Sequence, residues 1–226
     1  MRIVAVYEKS ERVRHIGHLD LMRFMQRALR RSGLPVAYSK GFNPHVLVSF
    51  ASALSVGAVG LREVMDADMA EDVTPERFVE VMRRTLPPEL YIREAYAVDD
   101  RHPAAMALVK AARYDLLIPE ETAAEKLTAA CGTILEKETI PAVRKTKSGL
   151  KDVDIKPLIY ALRAENGHID CTLALTEQQS CKPDMLLTAL CAEAGIDPEA
   201  KPAMRVTREA LLGTDEAGTL VPVETL

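Results

Sequence analysis

Residues 14–57 read R-H-I-G-H-L-D-L-M-R-F-M-Q-R-A-L-R-R-S-G-L-P (14–35), V-A-Y-S-K-G-F-N-P-H (36–45) and V-L-V-S-F-A-S-A-L-S-V-G (46–57). In the first stretch Leu21, Met25, Ala28 and Leu29 recur at helical spacing, which predicts a helix starting near His18 with those four side chains buried. Gly17 is a tolerated cap that offers no side-chain acceptor, and Asp20 in the first turn favours the helix dipole. Gly33 and Pro35 punctuate its end. Residues 36–38 and 46–51 read as short strands bracketing the turn Gly41-Phe42-Asn43-Pro44.

Working outward, residues 2–8 alternate as a strand and residues 62–70 form another. Thr74 and Pro75 open a helix that runs to Leu86, with Thr as cap and Pro at the first position. Residues 91–98 return as a strand. After a polar break at 99–103 the order repeats: a strand (109–118), a helix (121–138) and a strand (140–146). A hairpin follows (156–164 and 168–176) across Glu165-Asn166-Gly167, then a helix (183–194) stopped at Gly195 and a strand (203–209). The doubled order predicts an α+β chain of two ferredoxin-like (βαββαβ) domains side by side, residues 1–100 and 104–212, with a loose tail at 213–226.

At 226 residues and 48% hydrophobic the chain is long enough for one large or two small cores, built without Trp from Leu, Val, Ile, Ala and Met. Residues 1–9 are too short and charged for a signal peptide, and no apolar run approaches ~18 residues, so a cytoplasmic protein with no membrane partner is expected. Cys131, Cys171, Cys181 and Cys191 fall in no C-x-x-C pair and no zinc spacing, which predicts reduced, partly buried thiols and no metal or other cofactor.

The net charge of −4 is unevenly spread. Residues 1–45 hold nine Lys/Arg against three acids, and residues 139–163 hold six against two. These are two basic islands in an acidic chain, able to make a local footprint for an anionic partner. In the first island Arg23, Arg27 and Arg30 share a helix face with Arg31 beside them, and only Asp20 is near to neutralise them. A solvated helix face is one reading. The other is recognition of phosphate or carboxylate, whose geometry the guanidinium fork matches. Lys40, Phe42, Asn43 and His45 line the following turn. A purely structural turn accounts for Gly41 and Pro44, whereas Phe42 beside Lys and His suits stacking on a base. Arg144, Lys145, Lys147 and Lys151 form the second island, read as a loop that can reach a phosphate chain. His15, His18, His45 and Asp20 are the candidates for acid–base catalysis, as on an RNA 2′-hydroxyl. No glycine-rich phosphate loop opens a helix, since Gly57-Ala58-Val59-Gly60 joins two strands.

The motifs His18-Leu19-Asp20-Leu21 with Arg23, Ser39 with Gly41-Phe42-Asn43-Pro44-His45, Ser49-Phe50 and Val56-Gly57 resemble those of the radical SAM-linked proteins. Lys151-Asp152-Val153-Asp154-Ile155-Lys156-Pro157 is similar to a later segment of the same family. These are small domains encoded beside, or fused to the end of, a radical SAM protein. The resemblance implies a radical SAM protein as partner. The cysteine signature that holds a radical SAM cluster is absent from this chain. The expectation is therefore an accessory or substrate-recognition module, non-catalytic on its own, that binds RNA or a ribonucleoprotein. An RNA-processing or RNA-modifying enzyme using histidine chemistry is the first alternative, and a protein–protein scaffold with an arginine-rich face is the second.

Overall fold

The structure is a computed structural model that describes residues 1–99, 101–146, 149–176 and 178–226, with the side chains of residues 145 and 146 left out. The order is β1 (Arg2–Lys9), α1 (His18–Arg31), β2 (Val48–Phe50), β3 (Val59–Asp68), α2 (Pro75–Thr85), β4 (Leu90–Val98) and the one-turn α3 (Ala105–Leu108). It continues with β5 (Ala111–Leu117), α4 (Glu121–Ile134), β6 (Pro141–Thr146), β7 (Gly149–Asp154), β8 (Ile159–Glu165), β9 (His168–Ala174), α5 (Pro183–Glu193), β10 (Arg205–Thr214) and β11 (Leu220–Pro222). The class is α+β, with mostly antiparallel strand pairing and five helices among the described residues. Two compact units divide the chain: Met1–Lys110 with Arg208–Leu226, and Ala111–Thr207.

In the first unit β1 lies between β4 and β3, pairing antiparallel with both, and β2 and β10 both neighbour β3. Alternation along β1 explains the layering, because Ile3, Ala5 and Tyr7 enter the core with Leu21, Met25, Ala28 and Leu29 of α1 and Phe78 and Met82 of α2. Both helices thus cover one sheet face. The four α1 residues buried are those the spacing predicted. Gly17 caps without a side-chain bond, and the Thr74 hydroxyl accepts from Arg77 N at 3.2 Å with Pro75 at the first helical position.

The unit does not end at the polar break. The Asp66 carboxylate accepts from Ala105 N at 2.9 Å, and Arg2 donates to the carbonyls of His102 and Pro103, so residues 101–110 fold onto the first sheet. The expected loose tail is also ordered. Thr214 pairs with Leu220 and Leu212 with Pro222, while the buried Glu224 carboxylate accepts from Arg62 Nε at 2.8 Å. Gly213 makes this closure feasible, since a Cβ there would meet the Leu108 carbonyl at 2.8 Å as well as Leu226. The strands foreseen at 36–38 and 46–51 shrink to isolated bridges, Val36 with Met69 and Tyr38 with Val46, plus β2. Pro35 and Pro44 each remove a ladder donor there.

In the second unit β9 lies between β5 and β8, and α4 and α5 pack together. Asn166 and Gly167 both take positive φ (52° and 79°), the geometry of the tight hairpin turn read from their sequence. Residues 149–154 depart from the expected open loop. They form β7, which pairs with β6 from Pro141–Asp154 through Thr146–Gly149. All four cysteines are buried and free. Burial pushes the Cys131 and Cys181 thiols up to about 12 and raises Cys171 and Cys191 as well.

Two predictions follow from these packings. Removing residues 223–226 leaves Arg62 with Glu94 alone and uncovers the first sheet, and is expected to lower the urea midpoint by an amount equivalent to about 2–4 kcal/mol. An unchanged midpoint would show that the segment carries no stability. For the thiols, the native state keeps protons that the unfolded chain releases above the ordinary value of 9.0. Their contribution to stability is present below that pH and declines as pH rises through it. Ellman's reagent should find no reactive thiol in the native protein at mildly alkaline pH and four in urea.

A candidate anionic-partner surface

Helix α1 presents Arg23, Arg27, Arg30 and Arg31 to solvent. Arg23 approaches Asp20 at 3.4 Å, the outer limit of a hydrogen bond, and both side chains are well exposed. The Arg27 guanidinium lies 6.0 Å from the Phe24 ring centroid. Arg30 and Arg31 have no ion-pair partner among the described residues. By contrast, the arginines of α2 are spent internally. Arg83 donates to the carbonyls of Ile92 and Arg93 at 2.7 Å each, and Arg77 and Arg84 pair with Glu80.

The stretch after α1 projects as a closed finger. Ser39 N donates to His45 O at 2.9 Å, His45 N donates to Ser39 Oγ at 3.1 Å, and Ser39 Oγ lies 2.8 Å from His45 Nδ1. Gly41 sits at φ +120°, where a side chain would be strained, and this accounts for its place in the tip. Lys40, Phe42 and Asn43 are exposed there, Phe42 wholly so. The finger's base is near mid-helix, because Gln26 Nε2 lies 3.5 Å from Val46 O.

The catalytic candidates keep separate company. His18 packs edge-on against Phe50 with ring centroids 5.5 Å apart, His45 is engaged by Ser39, and His15 is exposed on the preceding loop. Asp20 faces solvent beside Arg23. Among the described residues no group of three or more His, Cys, Asp or Glu is placed to hold a metal ion. In the second island Lys151 is exposed on β7, opposite Arg144 on β6. Arg144 is half-buried and donates to Ser180 O at 2.6 Å. Lys147 and the side chain of Lys145 lie outside the described residues.

Beneath the loops that lead into α1 sits a charged cluster that sequence reasoning missed. Arg208 (2% exposed) and Glu63 (1%) form a two-pronged ion pair, Nε to Oε1 at 2.7 Å and a terminal nitrogen to Oε2 at 2.5 Å. The same guanidinium donates to Ser52 O, Ser52 Oγ and Ala53 O at 3.2–3.3 Å. Lys9 (1% exposed) donates to Arg14 O at 2.8 Å and Ile16 O at 2.9 Å. Burial lowers the Lys9 ammonium pKa, against an opposing pull from Glu63. Burial together with Glu63 raises Tyr7 well above its usual range. Gly60 makes room for the cluster, since a Cβ there would fall 2.5 Å from Glu63 Cγ. The available signal was slight: a glycine three residues before a lone Glu, and an Arg in the alternation before Ala210-Leu211-Leu212.

Over residues 2–183 the chain matches the family described as uncharacterized protein conserved in bacteria (DUF2344), and it belongs to that family. The match takes in α1, the finger and the loops held by Lys9. No curated protein matches the chain.

The cluster yields a direct prediction. Glu63→Gln strands a buried guanidinium and is expected to destabilise the protein by about 3–5 kcal/mol. The double variant Glu63→Met with Arg208→Met should recover much of that loss. If the single variant melts like the parent, the pair does not hold the unit together.

Proposed function

We propose that this chain is a recognition module without chemistry of its own, which binds RNA or a ribonucleoprotein and acts with a radical SAM enzyme. In the same reading each unit follows the ferredoxin-like βαββαβ plan and the protein works in the cytoplasm. The strand order β4-β1-β3-β2 with α1 and α2 on one face supports that plan in the first unit, and in the second α4 following β5 and α5 following the β8–β9 hairpin support it in part. The resemblance of residues 15–57 to the radical SAM-linked proteins supports the partner.

One observation carries the functional reading. Elsewhere in the first unit Arg2, Arg62, Arg83, Arg93 and Arg208 are hydrogen-bonded to carboxylates or carbonyls, whereas the four arginines of α1 stand in solvent with one weak acidic contact. Exposed charges of like sign on one helix face repel one another and contribute nothing to folding. An anionic partner relieves that repulsion, and guanidinium forks match phosphate oxygens.

The test replaces Arg23, Arg27 and Arg30 together by Gln. Thermal stability should hold to within about 1 kcal/mol. RNA affinity should fall well over tenfold, with the log–log salt dependence flattening by roughly 2 if all three meet phosphates of a single strand. Loss of binding to the radical SAM protein with RNA affinity untouched would favour the scaffold reading. A collapse of stability would show the arginines to be structural.

A further inference from the structure

The finger at residues 39–45 carries more information than charge. Of the four phenylalanines, Phe50 and Phe78 are buried and Phe24 packs against the core, whereas Phe42 stands wholly in water. Its backbone is held, with three contacts joining Ser39 to His45, Pro44 fixing one φ and Gly41 in a conformation other residues resist. Presented on a held backbone, the ring meets a partner with little backbone freedom left to lose. Its neighbours are Lys40, Asn43 and His45, all exposed and polar. Tyr38 on the stem offers a second, half-exposed ring. An aromatic plug for a protein pocket sits at the core of an interface depleted of charge, a setting unlike this one. An aromatic face flanked by cations is how proteins take an unstacked base with its phosphate alongside.

We propose that Phe42 stacks on an unpaired base while Lys40 meets an adjacent phosphate, so that the substrate class is single-stranded or looped RNA and not duplex. This rests on the reading that α1 binds a phosphate-bearing partner, and it adds what that reading leaves open. Arginines on a helix face grip the phosphates of either form. A ring at the tip of a finger finds a free base face only where pairing and stacking are broken.

The experiment uses the full chain and two fluorescent RNAs a dozen nucleotides long, one single-stranded with an adenine analogue whose emission is quenched by stacking, the other its duplex. Phe42→Ala is expected to weaken single-strand binding roughly tenfold or more and to leave duplex binding nearly unchanged. The quenching seen with the parent should disappear even at saturation, and Phe42→Trp should restore both affinity and quenching. Since Phe42 buries nothing, these variants should melt like the parent. Equal single-strand affinity for parent and Phe42→Ala, alongside loss of binding in the triple arginine variant, overturns the stacking proposal and leaves the phosphate reading standing. If the parent binds neither RNA at low salt, the phosphate reading itself fails and this proposal falls with it. If Phe42→Ala instead releases a radical SAM protein while RNA binding is intact, the finger is a protein plug and the proposal is wrong.

Discussion

The first unit is closed by an ion pair between residues 145 positions apart, Glu63 in β3 and Arg208 at the start of the returning chain. Taking both charges out of water costs several kcal/mol each, which only tight geometry and further hydrogen bonds offset. The second prong and the three contacts to Ser52 and Ala53 supply them. Gly60 leaves the space in which Glu63 folds. Lys9 completes the arrangement from the end of β1, and Arg14 O accepts from both Lys9 Nζ and Gly57 N, so the loop before α1 and the loop before β3 are tied together. Tyr7, Phe50 and His18 stack edge-on in series from that base to the first turn of α1.

The consequence is a division of labour among cations. Those inside the unit are matched to carboxylates or carbonyls, as a low dielectric requires. Those on α1 are left to solvent, supported by a helix whose other face is anchored in the core. Like charges on one helix face repel one another, and on α1 only Asp20 stands near to offset them. The finger repeats the pattern with an aromatic ring, its stem closed by hydrogen bonds between Ser39 and His45 and the ring at its tip exposed.

The two basic islands, alike in composition, come apart in structure. In the second, Arg144 donates to Ser180 O and Lys156 to Leu135 O, while Asp154 accepts from Ile140 N and Lys156 N. Lys151 on β7 stays exposed. Among the described residues no helix is long and apolar enough to cross a membrane.

What could be read from the chain alone was local. Apolar spacing announced α1 and its four buried residues, Thr74-Pro75 announced α2, and Asn166-Gly167 announced the hairpin, because periodicity, capping and turn chemistry act over a few residues. The arginine face was equally legible, since a helix makes i, i+4 and i+7 neighbours whatever it packs against. Tertiary structure alone decided the rest. No local rule couples Glu63 to Arg208, Asp66 to Ala105 or Arg62 to Glu224, because such pairs are chosen by which strands come to lie side by side. The same long-range pairing turned a foreseen tail into β11 and decided which arginines are engaged inside the fold.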